Sequence, residues 1–262
     1  MLNSMRVFSM AAQERGPLVE HFHRCGWVAV DALSDATRAE LARWVDEVAA
    51  WRPDEGEWLQ HFEMTEGGPM LCRSENFVPF HAGLRQLLCD GALPEVASAL
   101  LGEPAVLYKE KVNYKAPGGG GYSPHQDAPA YPMIDLHVSA LVAVDDADEG
   151  NGCLEVVSGA HGELLETDER GCITARIVEQ LGWEPVPVRA GGTLWFHSRT
   201  PHRSGPNHSN RPRRALYPTY NAASEGDLRV AYYSAKQAAF ASDAPTDRAR
   251  VSLIGDFEGR PV

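Results

Sequence analysis

The chain has 262 residues, of which 44% are hydrophobic and 23% are charged, and its formal net charge is −12. This ordinary composition indicates one globular domain, and the acidic charge argues against nucleic acid as a partner, because phosphates need a basic surface. No stretch approaches the ~18 apolar residues of a membrane span, and residues 1–16 lack the apolar segment of a signal peptide.

The cysteines indicate the compartment. There are five, an odd number, and none forms a Cys-x-x-Cys pair, so neither a disulfide framework nor a zinc site is predicted. Reduced thiols in a cytoplasm are the simpler interpretation. We therefore expect a cytoplasmic protein, a monomer or small homo-oligomer, that binds neither nucleic acid nor membranes.

The first hundred residues predict a helical flank. Residues 17–24 suit a short helix ended by Gly26, and residues 27–30 suit a strand. Ser34 is a favourable N-cap for the next helix. Its apolar residues recur at spacings of three and four, so one face is expected to be buried; they are Leu41, Trp44, Val45, Val48 and Trp51.

Two further helices follow a polar segment. Residues 52–68 are rich in acidic residues and glycine and predict a loop, either a lid or a plain connection. Residues 83–89 predict a helix. Pro94 suits the first turn of another, which Gly102 ends.

From Val106 to Lys115 the pattern alternates with period two, as in a strand. One face carries Lys109, Lys111, Asn113 and Lys115, and the other carries Tyr108, Glu110, Val112 and Tyr114. If the lysine face lines a barrel mouth, it can bind an anionic ligand. The alternative is a solvated stripe on an outer strand.

Later segments predict a series of short strands separated by glycine and proline: 137–144, 153–157, 186–189, 193–197 and 214–220. Short strands after a helical flank indicate a mainly β protein with a double-stranded β-helix core, the cupin-like jelly roll. The predicted parts are a flank over about 1–103, a core over about 104–222 and an extension over 223–262. Within the extension, Tyr232 to Phe240 suit a helix, and the remainder carries no recognisable chemistry.

His125-Gln126-Asp127 is the strongest chemical motif. It follows the glycine run 118–121, and side chains at i and i+2 of a strand share one face, so the imidazole and the carboxylate can bind one metal ion. The best third ligand is His202, just beyond the strand 193–197. Two histidines and one carboxylate form the facial triad of non-haem Fe(II) oxygenases.

Arg213 lies eleven residues after His202. With the His-x-Asp motif, this spacing resembles the phytanoyl-CoA dioxygenase group of Fe(II)- and 2-oxoglutarate-dependent oxygenases. The resemblance runs from about Val106 to Asn221, with a weaker echo at residues 73–77. It implies Fe(II), 2-oxoglutarate and O2 as cofactor and co-substrates, with succinate and CO2 released.

The resemblance also implies roles for individual residues. The guanidinium of Arg213 is expected to bind the C5 carboxylate of 2-oxoglutarate, with Ser204 as an added donor. The other candidate cofactor-binding residues are Lys109, Lys111 and Asn113, and the candidate substrate-binding residues are Asn76, Tyr131, Met133 and Trp195. Related halogenases lack the carboxylate that Asp127 supplies, so hydroxylation, desaturation or ring closure is favoured over halogenation.

The predicted substrate is a small polar metabolite of secondary or phosphonate metabolism, oxidised at an unactivated C–H bond. A fatty acyl-CoA is the alternative within the family, although no basic cluster for a nucleotide is evident. A zinc-binding cupin-like protein and a non-catalytic binding protein are the alternatives outside it.

Overall fold

The computed structural model describes residues 5–242 and 251–262. Its strands, in chain order, are β1 (Val7–Ser9), β2 (Trp27–Asp31), β3 (Leu59–Thr65), β4 (Gly68–Glu75), β5 (Ala105–Lys115), β6 (Tyr122–His125), β7 (His137–Ala143), β8 (Leu154–Val156), β9 (Glu184–Val186), β10 (Thr193–His197), β11 (His202–Ser204) and β12 (Arg213–Ala222). They form an eight-stranded sheet in the order β1-β2-β10-β7-β12-β5-β4-β3 and a four-stranded sheet in the order β6-β11-β8-β9.

The helices are α1 (Ala12–Cys25), α2 (Asp35–Ala49), α3 (Ala82–Arg85), α4 (Ala92–Leu101), α5 (Ala175–Val178) and α6 (Arg229–Ser242). Gly26 and Gly102 end α1 and α4 in the left-handed conformation, and the Ser34 side chain accepts the backbone N–H of Thr37 at the start of α2. These caps confirm the predicted helix ends. None of the helices in the described ranges is long and apolar enough to cross a bilayer.

The larger sheet is buried on both faces. Its strands β2, β7, β10 and β12 direct alternate side chains, such as Val142 and Leu216, against α1, α2 and α4. The intervening side chains, such as Leu141 and Ala215, pack against β8 and β9 of the smaller sheet. Since helices cover one face of the large sheet, the space between the two sheets is where a site enclosed by strands can form.

Several sequence predictions need correction. Residues 59–65 of the predicted loop form β3, which pairs with β4 along its length. The strand predicted at 186–189 lies at Glu184–Val186, and β1 and β11 were not predicted. Tyr108 is a bulge, because Lys109 and Leu107 pair with the consecutive residues Thr219 and Tyr220.

The prediction that Trp195 contacts substrate is wrong. Its side chain is fully buried in the core between the large sheet and the helices, and its Nε1 donates to Thr193 Oγ1 at 3.0 Å. The next residue, Phe196, faces the other sheet. Alternation along β10 therefore directs the indole away from the space between the sheets.

Because Trp195 packs in a closed core, Trp195→Phe leaves a void there and loses the hydrogen bond to Thr193. We expect the free energy of unfolding to fall by about 1–3 kcal/mol, measured by urea denaturation. A variant as stable as the wild type would contradict this packing.

Candidate metal centre

His125, Asp127 and His202 come together between the two sheets. His125 ends β6 and His202 begins β11, and the two residues are directly opposite each other in the antiparallel register. Their ring centroids are 4.2 Å apart, and the ligand atoms of all three side chains lie within 4.8 Å of one another. All three residues are buried.

The backbone that positions Asp127 differs from the strand that was predicted. Strand β6 stops at His125, and Asp127 has helical backbone angles (φ −71°, ψ −29°) at the start of the 3-10 turn Ala128–Ala130. Ser139 on β7 donates to its Oδ2 at 3.2 Å. The argument from strand alternation is therefore wrong, although the carboxylate does lie beside the imidazoles, with Oδ1 3.9 Å from His125 Nε2.

Backbone carbonyls orient both imidazoles. His125 Nδ1 lies 2.7 Å from the carbonyl oxygen of Ser123, and His202 Nδ1 lies 3.0 Å from that of Thr200. A carbonyl oxygen can only accept, so each Nδ1 carries the proton. Each Nε2 is then an unprotonated donor atom for a metal ion.

Charges around the triad favour the ionic forms that a metal requires. Burial lowers the pKa of His202 to about 4, so this imidazole is neutral near pH 7. Burial raises the pKa of Asp127, but His202, Lys109 and Lys111 more than offset it and hold the pKa well below its usual range. Two imidazole nitrogens and one carboxylate fit Fe(II), and they leave three octahedral positions for other ligands.

Two adjoining cavities meet at the triad. The empty space between the lining residues is about 400 Å³ in the first and about 340 Å³ in the second, and both figures include space that is open to solvent. Both are lined by Lys109, Lys111, His125, Asp127 and Asp256. The first continues past Asn113, Ser204, Tyr217 and Thr219, and the second past Arg73, Glu75, Tyr131, Tyr232 and Lys236.

Arg213 lies behind the wall of the first cavity and is fully buried. Its Nη1 donates to the Tyr217 hydroxyl at 3.1 Å and its Nη2 to the Gly152 carbonyl at 2.7 Å. Its Nε has no partner among the described residues. A buried guanidinium without a carboxylate fits an anionic ligand brought from outside.

The neighbouring arginines differ from Arg213 in this respect. Arg211 pairs with Asp148 at 2.7 Å, and Arg214 pairs with Asp145 at 2.8 Å. Their charges are thus neutralised within the protein. Sequence spacing alone could not show which of the three neighbouring arginines lacks a carboxylate partner.

The other candidate cofactor-binding residues line the first cavity. Lys111 lies beside the Tyr217 ring, with Nζ 5.4 Å from its centroid, and Asn113 Oδ1 accepts a hydrogen bond from Arg73. Ser204 Oγ accepts from Lys115 Nζ at 2.9 Å, so its own hydroxyl hydrogen is free to be donated to a ligand.

Not all of the candidate substrate-binding residues lie at the site. Tyr131 lines the second cavity, with its ring centroid 4.4 Å from Lys109 Nζ. Asn76 is committed elsewhere, because its side chain donates to Glu57 and accepts from Arg229. Met133 is 38% exposed and lines neither cavity. The structure therefore does not support substrate contacts for Asn76, which the family resemblance suggested, or for Met133, which was inferred from its nearness to Asp127 in sequence.

The C-terminal residues, predicted to carry no chemistry, line the site. Asp256 is buried, with Oδ2 3.5 Å from His125 Nε2 and with Oδ1 lacking a partner among the described residues. Its backbone carbonyl accepts from Ser123 at 2.7 Å, and Arg73 donates to the Val251 carbonyl at 2.7 Å. No periodic pattern in residues 251–262 indicated this placement, since the contacts are long-range.

Comparison with known proteins identifies the family. A model of the Phytanoyl-CoA dioxygenase (PhyH) family matches residues 22–215. The chain belongs to the phytanoyl-CoA dioxygenase family. This PhyH chain is 47% identical to the methylphosphonate hydroxylase of Gimesia maris, covering 93% of this chain and 95% of that protein. It is 38% identical to the 2-aminoethylphosphonate dioxygenase of an uncultured bacterium, covering 81% and 83% of the two chains.

A solved structure supports the fold. The crystal structure of the epimerase SnoN in complex with Fe3+, alpha ketoglutarate and nogalamycin RO matches the PhyH chain with a TM-score of 0.68 and 22% identity, over 95% of this chain and 96% of that one. The predictions of the PhyH family, of a mainly β fold with a jelly-roll core and of an Fe(II)- and 2-oxoglutarate-dependent dioxygenase are confirmed.

Metal titration can show which of the two carboxylates beside the histidines, Asp127 or Asp256, is a metal ligand. Asp127 supplies a converging oxygen, so Asp127→Ala is expected to weaken Fe(II) or Co(II) binding at least about 100-fold in anaerobic titration calorimetry. Asp256→Asn is the matched control and is expected to change the affinity little. Equal losses in both variants would make Asp256 a ligand.

Proposed function

We propose that this chain hydroxylates the carbon bonded to phosphorus in a small alkylphosphonate, using Fe(II), 2-oxoglutarate and O2, and that methylphosphonate is its substrate. The similarity to a methylphosphonate hydroxylase supports this choice. Methylphosphonate has one carbon, so the hydroxyl group can enter only there. The products are hydroxymethylphosphonate, succinate and CO2. One oxygen atom of O2 enters the C–H bond, and the other enters succinate as the keto acid loses CO2.

His125, Asp127 and His202 would hold the iron, and Arg213, Ser204 and Asn113 are the proposed partners of 2-oxoglutarate. Bound Fe(II) supplies O2 activation and the oxidising power for the C–H bond. The protein's own contribution is to fix these side chains before the ligands arrive. The Gly152 carbonyl, for example, accepts from both Arg213 and Lys115 and so holds these two basic side chains behind Ser204 and Tyr217, which line the first cavity.

The charge of the second cavity is the observation that carries the choice of an anionic substrate. Its walls include four cationic side chains and three carboxylates: Arg73, Lys109, Lys111 and Lys236, and Glu75, Asp127 and Asp256. Bound Fe(II) and the 2-oxoglutarate dianion cancel each other's formal charge. The cations then outnumber the carboxylates, which favours an anion such as a phosphonate.

The size of this cavity favours a small substrate. The empty space between its lining residues is only about 340 Å³ even when space open to solvent is included, and the rings of Tyr131 and Tyr232 form part of its wall. A fatty acyl-CoA is many times larger than methylphosphonate and would need a long channel. The geometry thus supports a small phosphonate over the acyl-CoA alternative.

A second candidate substrate is 2-aminoethylphosphonate, the compound named for another relative. The unpartnered Oδ1 of Asp256 favours it, because a buried carboxylate oxygen can accept from an ammonium group. Glu75 is less suited to that role, since both of its oxygens already accept from Lys236 at 2.6 Å.

We further propose that the chain acts as one catalytic domain in the cytoplasm, as a monomer or small homo-oligomer, without a nucleic-acid or membrane partner. The acidic net charge of −12 and the five thiols without a disulfide support these proposals.

The activity is tested by incubating the protein aerobically with Fe(II), 2-oxoglutarate and methylphosphonate. We expect hydroxymethylphosphonate by ³¹P NMR and an equal amount of succinate by chromatography. His125→Ala should form neither above background, because one metal ligand is lost. Equal succinate from wild type and variant would contradict the proposal, as would wild-type succinate without a phosphonate product.

The role of Arg213 is tested against its exposed neighbour. Arg213→Met removes the unpaired guanidinium, so the KM for 2-oxoglutarate should rise at least about tenfold. Arg211→Met removes a surface partner of Asp148 and should leave this KM nearly unchanged. A normal KM in the Arg213 variant would refute the assignment; thermal melting of both variants checks that each is folded.

A further inference from the structure

We propose that Lys109 and Lys111, two residues apart on one face of β5, bind different ligands: Lys109 binds the phosphonate of the substrate and Lys111 binds 2-oxoglutarate. The proposal rests on the proposed function and deepens it. It assigns Lys109 to the substrate rather than to the co-substrate, where the sequence alone had put both lysines.

The two lysines stand out because their charges interact with the Asp127 carboxylate only at longer range, without a direct ion pair. Among the described residues neither ammonium group donates a hydrogen bond or forms an ion pair, although Lys109 is only 2% exposed. A buried cation costs several kcal/mol unless an anion or hydrogen-bond acceptors surround it. Both side chains line the cavities, so the missing anions are best supplied by ligands.

The remaining cations of the second cavity are already committed. Arg73 donates to Asn113, to the Val251 carbonyl, to Ser252 and to the Tyr122 hydroxyl, at 2.7–3.1 Å. Lys236 donates to both oxygens of Glu75. Binding a phosphonate through either group would break existing bonds, whereas Lys109 has none to break.

The strand register places Lys109 level with the metal ligands, and a contact with Tyr131 places its ammonium group beside the second cavity. Lys109 pairs with Thr219, and Thr219 pairs with Ser139, which donates to Asp127. Its ammonium lies against the ring of Tyr131, which lines the second cavity and not the first. Thr219 and Ser139 line the first cavity, and Lys109 itself lines both. It is the contact with Tyr131 that directs the ammonium group of Lys109 towards the cavity proposed for the substrate.

The same register assigns Lys111 to the opposite side. Lys111 pairs with Tyr217, which lines only the first cavity and whose hydroxyl accepts from Arg213. Its neighbour on β4 is Glu75, which lines only the second cavity but is already engaged by Lys236. Successive side chains on one face of a strand are about 6.8 Å apart. Lys111 is thus one such step closer than Lys109 to the Arg213 end, where the C5 carboxylate of 2-oxoglutarate would bind.

Both lysines gain from a bound anion, since burial lowers the pKa of Lys111 well below its usual range and the charge of Lys109 adds to this shift. Burial lowers the pKa of Lys109 to about 8, although nearby Asp127 partly opposes that shift. An anion bound beside the ammonium would raise the pKa again and keep the side chain charged.

Paired variants test the division. Lys109→Met and Lys111→Met remove one charge each and keep an unbranched side chain, and both are examined by steady-state kinetics. Lys109→Met should raise the KM for methylphosphonate at least about tenfold and leave the KM for 2-oxoglutarate within about twofold, and Lys111→Met should do the reverse. Lys109→Arg should recover part of the affinity for methylphosphonate, because it restores the charge. Two variants with the same pattern, or the reversed pattern, would overturn the proposal.

Binding measurements separate a failure of this proposal from a failure of the proposed function. Methylphosphonate and 2-oxoglutarate are titrated separately into Co(II)-loaded wild type and both variants in a calorimeter, with 2-oxoglutarate already bound for the phosphonate titration. Methylphosphonate that binds the wild type but is never hydroxylated contradicts the proposed function alone. Methylphosphonate that does not bind the wild type contradicts both proposals. Methylphosphonate that is hydroxylated by the wild type but binds Lys109→Met as tightly contradicts the assignment of Lys109 alone.

Discussion

The site depends on one constraint, the cross-strand pairing of His125 with His202. Antiparallel register brings the two residues opposite each other, and the carbonyls of Ser123 and Thr200 hold each ring with Nε2 towards the partner. The strands supply these carbonyls as part of their own backbone. Asp127 then needs only a short turn after His125 to complete a three-sided donor set.

A second constraint is charge. A double-stranded β-helix encloses a narrow space between two sheets, and here that space holds cations that the described part of the chain does not neutralise. Lys109, Lys111 and Arg213 lack a carboxylate partner, whereas Arg214 and Lys236 have one. The cavities are therefore suited to anions before any ligand arrives, and an enzyme acting on a dianionic keto acid and a phosphonate needs that property.

The sequence predicted the metal ligands because their chemistry is distinctive, but its geometric argument was only partly right. Asp127 reaches the site through a turn and not through strand alternation. Trp195 and Phe196 show the limit of periodicity: both were on a correctly predicted strand, but without the neighbouring sheet nothing indicated which side chain faced the cavity. Asp256 was missed because its position depends on contacts that are distant in sequence. Arg213 was found by its spacing from His202, while its lack of a carboxylate partner could be seen only in three dimensions.

The most direct test of this account is a crystal structure of the Fe(II)-loaded protein with anomalous diffraction data collected at the iron absorption edge. The account predicts one strong peak bonded to Nε2 of His125, Nε2 of His202 and a carboxylate oxygen of Asp127. A peak elsewhere, or one bonded to Asp256 in place of Asp127, would contradict it.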